Sequence, residues 1–341
     1  MEAFLKELPP VEARGLHDYC RSVPIPPPTA KAMANPVHAL PFWLAFPVLL
    51  AGGTALRVSI ARQLLDDILW GEYCLYISFR IEDDVRDGQA SDASLAAFGR
   101  IMKDRAWQAF APHFSENDEF VRLFDSHVQE TREGIAAAER LQEEFISEPD
   151  RLLPEYARTG AIFRIGFSAV CLAGERQDIL PLLTAAADHL AIGGQIVDDI
   201  HDCIEDLLAK RYNYALQKIS AASCEPGSID RRILPAIPSG VVIGEIAEMA
   251  VHQFLCAQQS LGRPDLIPLN DIPHLHVASC RRLLRSMAHE DAKTQGRVGE
   301  HGIPIRNTPE NNCTPPGLNH LIDMKSDGSM VEPIAAEIES K

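Results

Sequence analysis

The sequence predicts an all-α fold on three observations. Prolines crowd the two ends: nine of the 24 lie in the first 47 residues and five in the last 49, leaving ten for the 245 between. A proline inside a helix removes a backbone donor and clashes with the preceding turn, so the middle is free to be helical and the ends are not. Through that middle, apolar residues recur at helical spacing over long stretches, and runs of alternating β-branched residues are nearly absent. The pairs Gly52-Gly53 and Gly193-Gly194 do not form a GxGxxG pattern, which argues against a nucleotide-binding α/β fold.

In order along the chain, residues 1–40 form a proline-rich N-terminal segment. Pro24-Ile25-Pro26-Pro27-Pro28 reads there as stiff and extended. Residues 41–294 read as a helical domain. Periodicity predicts helices over Thr54–Leu69, with Gly71 as a break, and over Glu72–Asp87, with Gly88 as the stop. Further helices are predicted over Ser91–Phe110, Ser115–Phe145, Arg151–Leu172, Gln177–Leu208, Val241–Ser260 and His276–Lys293. Residues 295–341 turn polar and rich in Gly, Pro and Asn, and read as a disordered tail.

With 341 residues, 46% hydrophobic and 23% charged, the chain has globular composition and length for a full core. Its 48 acids against 32 bases leave a net charge of −16. That argues against nucleic-acid partners and anionic membrane surfaces, both of which need a basic face. The eight cysteines are scattered, without a CxxC pair or zinc-ligand spacing, and read as reduced thiols of a cytoplasmic protein. The longest apolar stretch, Pro41–Ala51, holds two prolines and is too short for the ~20 apolar residues that span a bilayer. Stable membrane insertion is therefore not expected.

Two acidic clusters carry the chemistry. The first is Glu82-Asp83-Asp84-Val85-Arg86-Asp87. At ~100° per residue, Asp83, Asp84 and Asp87 share one helical face, with Arg80 and Tyr76 on it. Carboxylates gathered at a helix C-terminus repel one another and the helix dipole unless a cation joins them, and oxygen-only ligands suit Mg²⁺. Taken alone, the cluster also reads as a solvated face, with Arg80 pairing Asp83 or Asp84. The second cluster runs from Gln195 to Asp206 and places five acids within nine residues. Gln195, Asp198, Asp199, Asp202 and Asp206 share a face, and Ile196, Ile200, Ile204 and Leu207 lie opposite. The first bases follow at Lys210 and Arg211. Two Asp-rich helices facing each other would hold several Mg²⁺ ions, and through them a polyanion such as diphosphate.

At this point the chain resembles the class I isoprenoid synthase superfamily of trans-prenyltransferases and terpene cyclases. Asp83-Asp84-x-x-Asp87 resembles the first DDxxD motif, and Gln195-x-x-Asp198-Asp199-x-x-Asp202 resembles the second motif of polyprenyl synthases. Arg158-Thr159-Gly160-Ala161-Ile162-Phe163 is similar to the family's Lys-Thr-Gly-Ala-Leu-Phe segment. Gly52-Gly53-Thr54-Ala55-Leu56-Arg57 is similar to its Gly-Gly-Lys-Arg-Leu-Arg segment. Asp198, Asp202 and Asp206 have the spacing of the Asn/Ser/Glu metal triad of terpene cyclases, and the Asp202-to-Tyr214 run resembles squalene and phytoene synthases. The resemblance implies a helical bundle around a central active-site cavity, Mg²⁺ (three ions) as cofactor, an allylic prenyl diphosphate as substrate, and a homodimer as the common assembly.

The expected roles follow. Asp83, Asp84, Asp87, Asp198, Asp199, Asp202 and Asp206 hold the metal. Arg158, Lys210, Arg211 and Arg57 hold the diphosphate. Tyr76, Phe79, Phe163 and Phe167 offer aromatic faces to a carbocation, with Gln195 on the cavity wall. The chain departs from elongating enzymes at the pocket for isopentenyl diphosphate. Thr54 stands at the lysine position, and no base occurs between Asp87 and Arg100. That favours a terpene synthase, a carbon–oxygen lyase acting on farnesyl or geranylgeranyl diphosphate. The alternative is an isoprenyl diphosphate synthase or another prenyltransferase. A third reading, a catalytically dead partner subunit, is opposed by two intact acidic clusters.

Overall fold

The computed structural model describes residues 10–22, 36–52, 60–86, 93–222 and 240–300. Arg57, Asp87, Gly88 and Pro24–Pro28 lie outside them. Among the described residues there are helices and no strand. The α-helices are α1 (Pro10–Ser22), α2 (Phe42–Gly52), α3 (Arg62–Arg86), α4 (Ala93–Phe114), α5 (Asp118–Gln142) and α6 (Leu152–Thr159). They continue with α7 (Ile165–Ala173), α8 (Leu180–Leu208), α9 (Tyr214–Ala222), α10 (Gly240–Ser260) and α11 (Asp271–Glu300). A single helical turn, Pro36–Ala39, precedes α2, and 3₁₀ turns link several helices.

Helix α8 is central. It packs against α6, α9 and α10, and α10 packs in turn against α11. On the other side α3 pairs with α4, α5 pairs with α6, and α2 lies against α3 and α7. The stretch Gln177–Leu208 is long and apolar enough by composition to cross a membrane. Its apolar stripe instead meets these neighbours, with Ile196, Ile200 and Leu207 buried. At α5, Asn117 caps the helix by accepting a hydrogen bond from the Phe120 N–H at 2.9 Å.

The structure departs from the sequence reading where packing overrides local signals. Gly71 does not break α3. It lies mid-helix because an added Cβ would come within 2.5 Å of the Phe110 ring of α4. The N-terminal segment is partly helical: Pro10 opens α1, where a proline's missing N–H costs nothing. The predicted helix Arg151–Leu172 is divided into α6, a 3₁₀ turn at Gly160–Arg164, and α7. The stretch Pro41–Ala51, read only as too short to span a bilayer, is mostly α2, a helix buried on most sides despite Pro47. The last helix extends to Glu300, into the predicted tail.

Candidate active site

The helices enclose a cavity of about 900 Å³. Its wall takes Trp43 from α2, Tyr76, Phe79, Arg80 and Asp83 from α3, and Glu139 and Gln142 from α5. Tyr156 of α6 and Phe163 of the 3₁₀ turn join them. Helix α8 contributes Gln195, Asp198, Asp199, Asp202 and Asp206. The two acidic clusters, more than 100 residues apart in sequence, thus face one space.

Local geometry explains the convergence. Gly160 lets the 3₁₀ turn lie directly on α8, since a Cβ there would meet the Ala191 Cβ at 2.5 Å. The turn is held from α5, where the Thr131 hydroxyl accepts from the Ile162 N–H at 2.9 Å. Behind it, buried Arg164 joins Glu130 of α5 at 2.9 Å and Asp188 of α8 at 2.6 Å. The ring of Phe163 is thereby set against Trp43, stacked at 5.3 Å with planes 11° apart. Tyr76 closes the other face of this aromatic wall, 5.0 Å from Trp43.

The end of α3 is a lattice of ion pairs. Asp83, 42% exposed, has Arg80 and Arg86 each at 3.7 Å. Arg86 reaches Glu139 of α5 at 2.6 Å. Asp84 is occupied differently: it accepts from the Tyr19 hydroxyl of α1 at 2.7 Å and pairs with Arg80 at 3.3 Å. It is absent from the cavity wall.

The end of α8 is a buried hydrogen-bond network. Asp199 accepts from the Tyr156 hydroxyl at 2.6 Å, the Tyr214 N–H at 2.9 Å and Gln195 Nε2 at 3.0 Å. Burial pushes its carboxyl up to about 7, against the pull of these donors. Asp206 accepts from Asn213 Nδ2 at 2.7 Å and pairs with Arg211 at 3.1 Å. Burial raises its pKa as well.

These donors return to α8 because of how the helix ends. Lys210 has a left-handed φ of 56°. Its N–H bonds to the Leu207 carbonyl, and the Arg211 N–H bonds to the Asp206 carbonyl. That is a Schellman turn with lysine in the place glycine usually takes.

Of the site residues expected from sequence, Asp83, Asp198, Asp199, Asp202, Asp206, Arg211, Tyr76, Phe79, Phe163 and Gln195 line the cavity. Four do not, and each has a physical reason. Asp84 is drawn to Tyr19 and Arg80. Arg158 is neutralised by Glu133 at 2.6 Å and Glu155 at 2.8 Å. Lys210 is exposed at the turn it terminates. Phe167 is fully buried in the core beside Phe46.

The sequence reading missed Trp43, Tyr156, Asn213 and His276. Only Trp43 carried a signal, as an aromatic within an apolar run; the others depend on which helices meet.

The wall's carboxylates are all hard oxygen donors, the set Mg²⁺ takes. Among the described residues, no three His, Cys, Asp or Glu side chains are drawn together closely enough to hold a metal ion. At the end of α3 the carboxylates meet Arg80, Arg86 and the Tyr19 hydroxyl, and at the end of α8 they meet amides, a hydroxyl and Arg211.

No family model matches the chain, and no curated protein does. Solved structures do. The chain is similar to a polyprenyl synthase from Roseobacter denitrificans, with a TM-score of 0.57 at 14% identity, covering 81% of this chain and 97% of that one. It is similar to the geranylgeranyl pyrophosphate synthetase of the archaeon Geoglobus acetivorans, with a TM-score of 0.58 at 15% identity, covering 72% and 88%. It is also similar to a polyprenyl synthase from Caulobacter crescentus complexed with calcium and isoprenyl diphosphate, with a TM-score of 0.57 at 13% identity, covering 80% and 96%. At these identities the likeness speaks to architecture: the chain has the all-α fold of the class I isoprenoid synthases.

Proposed function

We propose that this chain is a Mg²⁺-dependent enzyme that takes an allylic prenyl diphosphate into its central cavity and transfers the prenyl group to an acceptor. The observation that carries the reading is that Asp83, Asp198 and Asp202 line one cavity whose wall also carries the apolar side chains of Leu40, Phe42, Trp43, Phe79, Ile135 and Phe163. One end suits a charged headgroup and the remainder a hydrocarbon chain. The Caulobacter relative's pairing of a divalent cation with isoprenyl diphosphate supports the substrate class.

Asp83, Asp198 and Asp202 would hold Mg²⁺, which supplies charge neutralisation of the diphosphate as a leaving group. Arg211, anchored by Asp206, and Arg80, anchored by Asp83 and Asp84, present guanidinium groups at the same wall. Trp43, Tyr76, Phe79 and Phe163 exclude water from the chain and turn ring faces to an allylic cation.

A second reading, a terpene synthase acting on one allylic diphosphate, is favoured by a specific feature. No Lys or Arg lies between Asp87 and Arg100, and Thr54 stands where the elongating enzymes' segment has lysine. The test is product analysis by mass spectrometry. Purified protein and Mg²⁺ are incubated with geranyl, farnesyl or geranylgeranyl diphosphate, each with and without isopentenyl diphosphate. Longer diphosphates formed only with isopentenyl diphosphate support elongation. A hydrocarbon or alcohol from an allylic substrate alone supports the second reading. No diphosphate release under any condition overturns both.

A further inference from the structure

Helix α11 places a base on the cavity wall that the reading above does not use. His276 faces the cavity together with Ile272, Leu275 and Ser279. Its ring stacks on Phe254 of α10, with centroids 4.8 Å apart and planes at 26°. Phe254 presses on α8 at Gly193, where an added Cβ would meet the ring at 2.5 Å. Gly194, the next residue of α8, lines the same cavity as His276. Asp198 lies four residues further along α8, about 6 Å by helical rise.

The imidazole makes no hydrogen bond to a described residue; the Phe254 stack is its contact. Burial alone lowers its pKa below the ordinary histidine range, so the ring is neutral near pH 7 with a lone pair to offer. Arg80 and Arg211, the cations on the wall, are permanently protonated and accept nothing.

We infer that His276 is the base that ends the reaction by taking a proton from the carbon next to the cationic centre. The inference rests on the proposed ionisation of an allylic diphosphate in this cavity. In the step, the C–H bond breaks, its electron pair closes a new C=C bond and quenches the cation, and the proton moves to the free imidazole nitrogen. The imidazolium then returns that proton to the departing diphosphate or to water. Transfer to an olefinic acceptor and cyclisation to an olefin both require such a loss, so the role is common to both readings.

The test compares wild type with His276→Phe, which keeps a ring to stack on Phe254, and His276→Gln, which accepts hydrogen bonds without being a base. Diphosphate release and product composition are measured in parallel on the three allylic diphosphates with Mg²⁺, with and without isopentenyl diphosphate. Circular dichroism checks folding, and His276→Gln carries the test should His276→Phe not fold. In both variants the ratio of deprotonated product to water-quenched alcohol falls by about 100-fold, and diphosphate release falls by less. Wild-type product ratios in both variants overturn the base while the proposed function stands. Wild-type ratios in His276→Gln alone overturn it too, leaving His276 a shape role. A wild-type enzyme that releases no diphosphate overturns the proposed function, and the base with it.

Discussion

The two acidic helix ends reach the same cavity by opposite means. At the end of α3, Asp83 and Asp84 are matched by arginines three or four residues away and by Tyr19, in a half-exposed setting. At the end of α8, Asp199 is buried in the wall and held by neutral donors, Tyr156, Gln195 and the Tyr214 backbone, while Asp206 takes Asn213 and Arg211. Charge pairing near water costs little to assemble and leaves a carboxylate ionised. Burial among neutral dipoles fixes geometry more firmly but raises the carboxyl's pKa. The contrast divides each cluster internally. Asp84 is bonded off the cavity and Asp199 is bonded into its wall, while their neighbours Asp83 and Asp198 line the substrate space.

The largest effect expected tests that division. Asp83→Asn and Asp198→Asn each lower Mg²⁺-dependent diphosphate release by about 100-fold or more, as loss of a charge-stabilising group does. Asp84→Asn costs distinctly less. Equal losses in Asp83→Asn and Asp84→Asn, in a steady-state release assay, would break the comparison.

Next are the anchors. Tyr156→Phe removes one of the two donors to a buried Asp199 oxygen and lowers unfolding free energy by about 1–3 kcal/mol in urea titrations. Tyr19→Phe, at the half-exposed partner of Asp84, costs about 0.5–1 kcal/mol. A reversal of that order would place the more rigid cluster on α3.

A third prediction concerns pH and uses α3 itself. Three turns before Asp83, Glu72 is fully buried and accepts from the Gly166 N–H, and burial raises its pKa well above the ordinary value of 4.5. Its folded state therefore holds a proton that the unfolded chain releases. The contribution of Glu72 to stability is greatest below pH 4.5 and declines as pH rises through the interval up to its folded pKa. Glu72→Gln removes that decline. Thermal melts from pH 4 to 8 will show the variant gaining on wild type as pH rises; a constant gap would count against it.

The smallest effect is Lys210→Gly. It relieves a left-handed residue at the end of α8 and raises stability by a few tenths to about 1 kcal/mol, the gain being trimmed by glycine's greater unfolded-state freedom. Chemical denaturation resolves it, and unchanged diphosphate release would agree with the exposed position of Lys210.

Much of this architecture is written in local pattern. The 3.6-residue apolar period of Gln177–Leu208 carries α8 nearly to its observed ends, and the same helical phase puts Gln195, Asp198, Asp199, Asp202 and Asp206 on one face. The acids of the first cluster are read the same way on α3. These properties depend only on residues within a few turns of each other, so one sequence contains them. Signals that depend on a neighbour are not contained in local pattern. Gly71 has the look of a break and serves as a contact for Phe110, and Arg158 has the look of a phosphate ligand and is matched by Glu133 and Glu155.

The sequence by itself determined that the protein is helical, that two of its helices end in carboxylates, and which side of each helix those carboxylates occupy. Only the tertiary structure decided that the two ends meet across one cavity, that Asp84 turns to Tyr19 while Asp199 is bonded into the wall, and that Trp43, Tyr156 and His276 stand on that wall. Helical phase is set by bonds between residues a few positions apart. Which faces meet is set by the fit of side chains such as Gly160 on Ala191 and Phe254 on Gly193, far apart in the chain and adjacent only once it has folded.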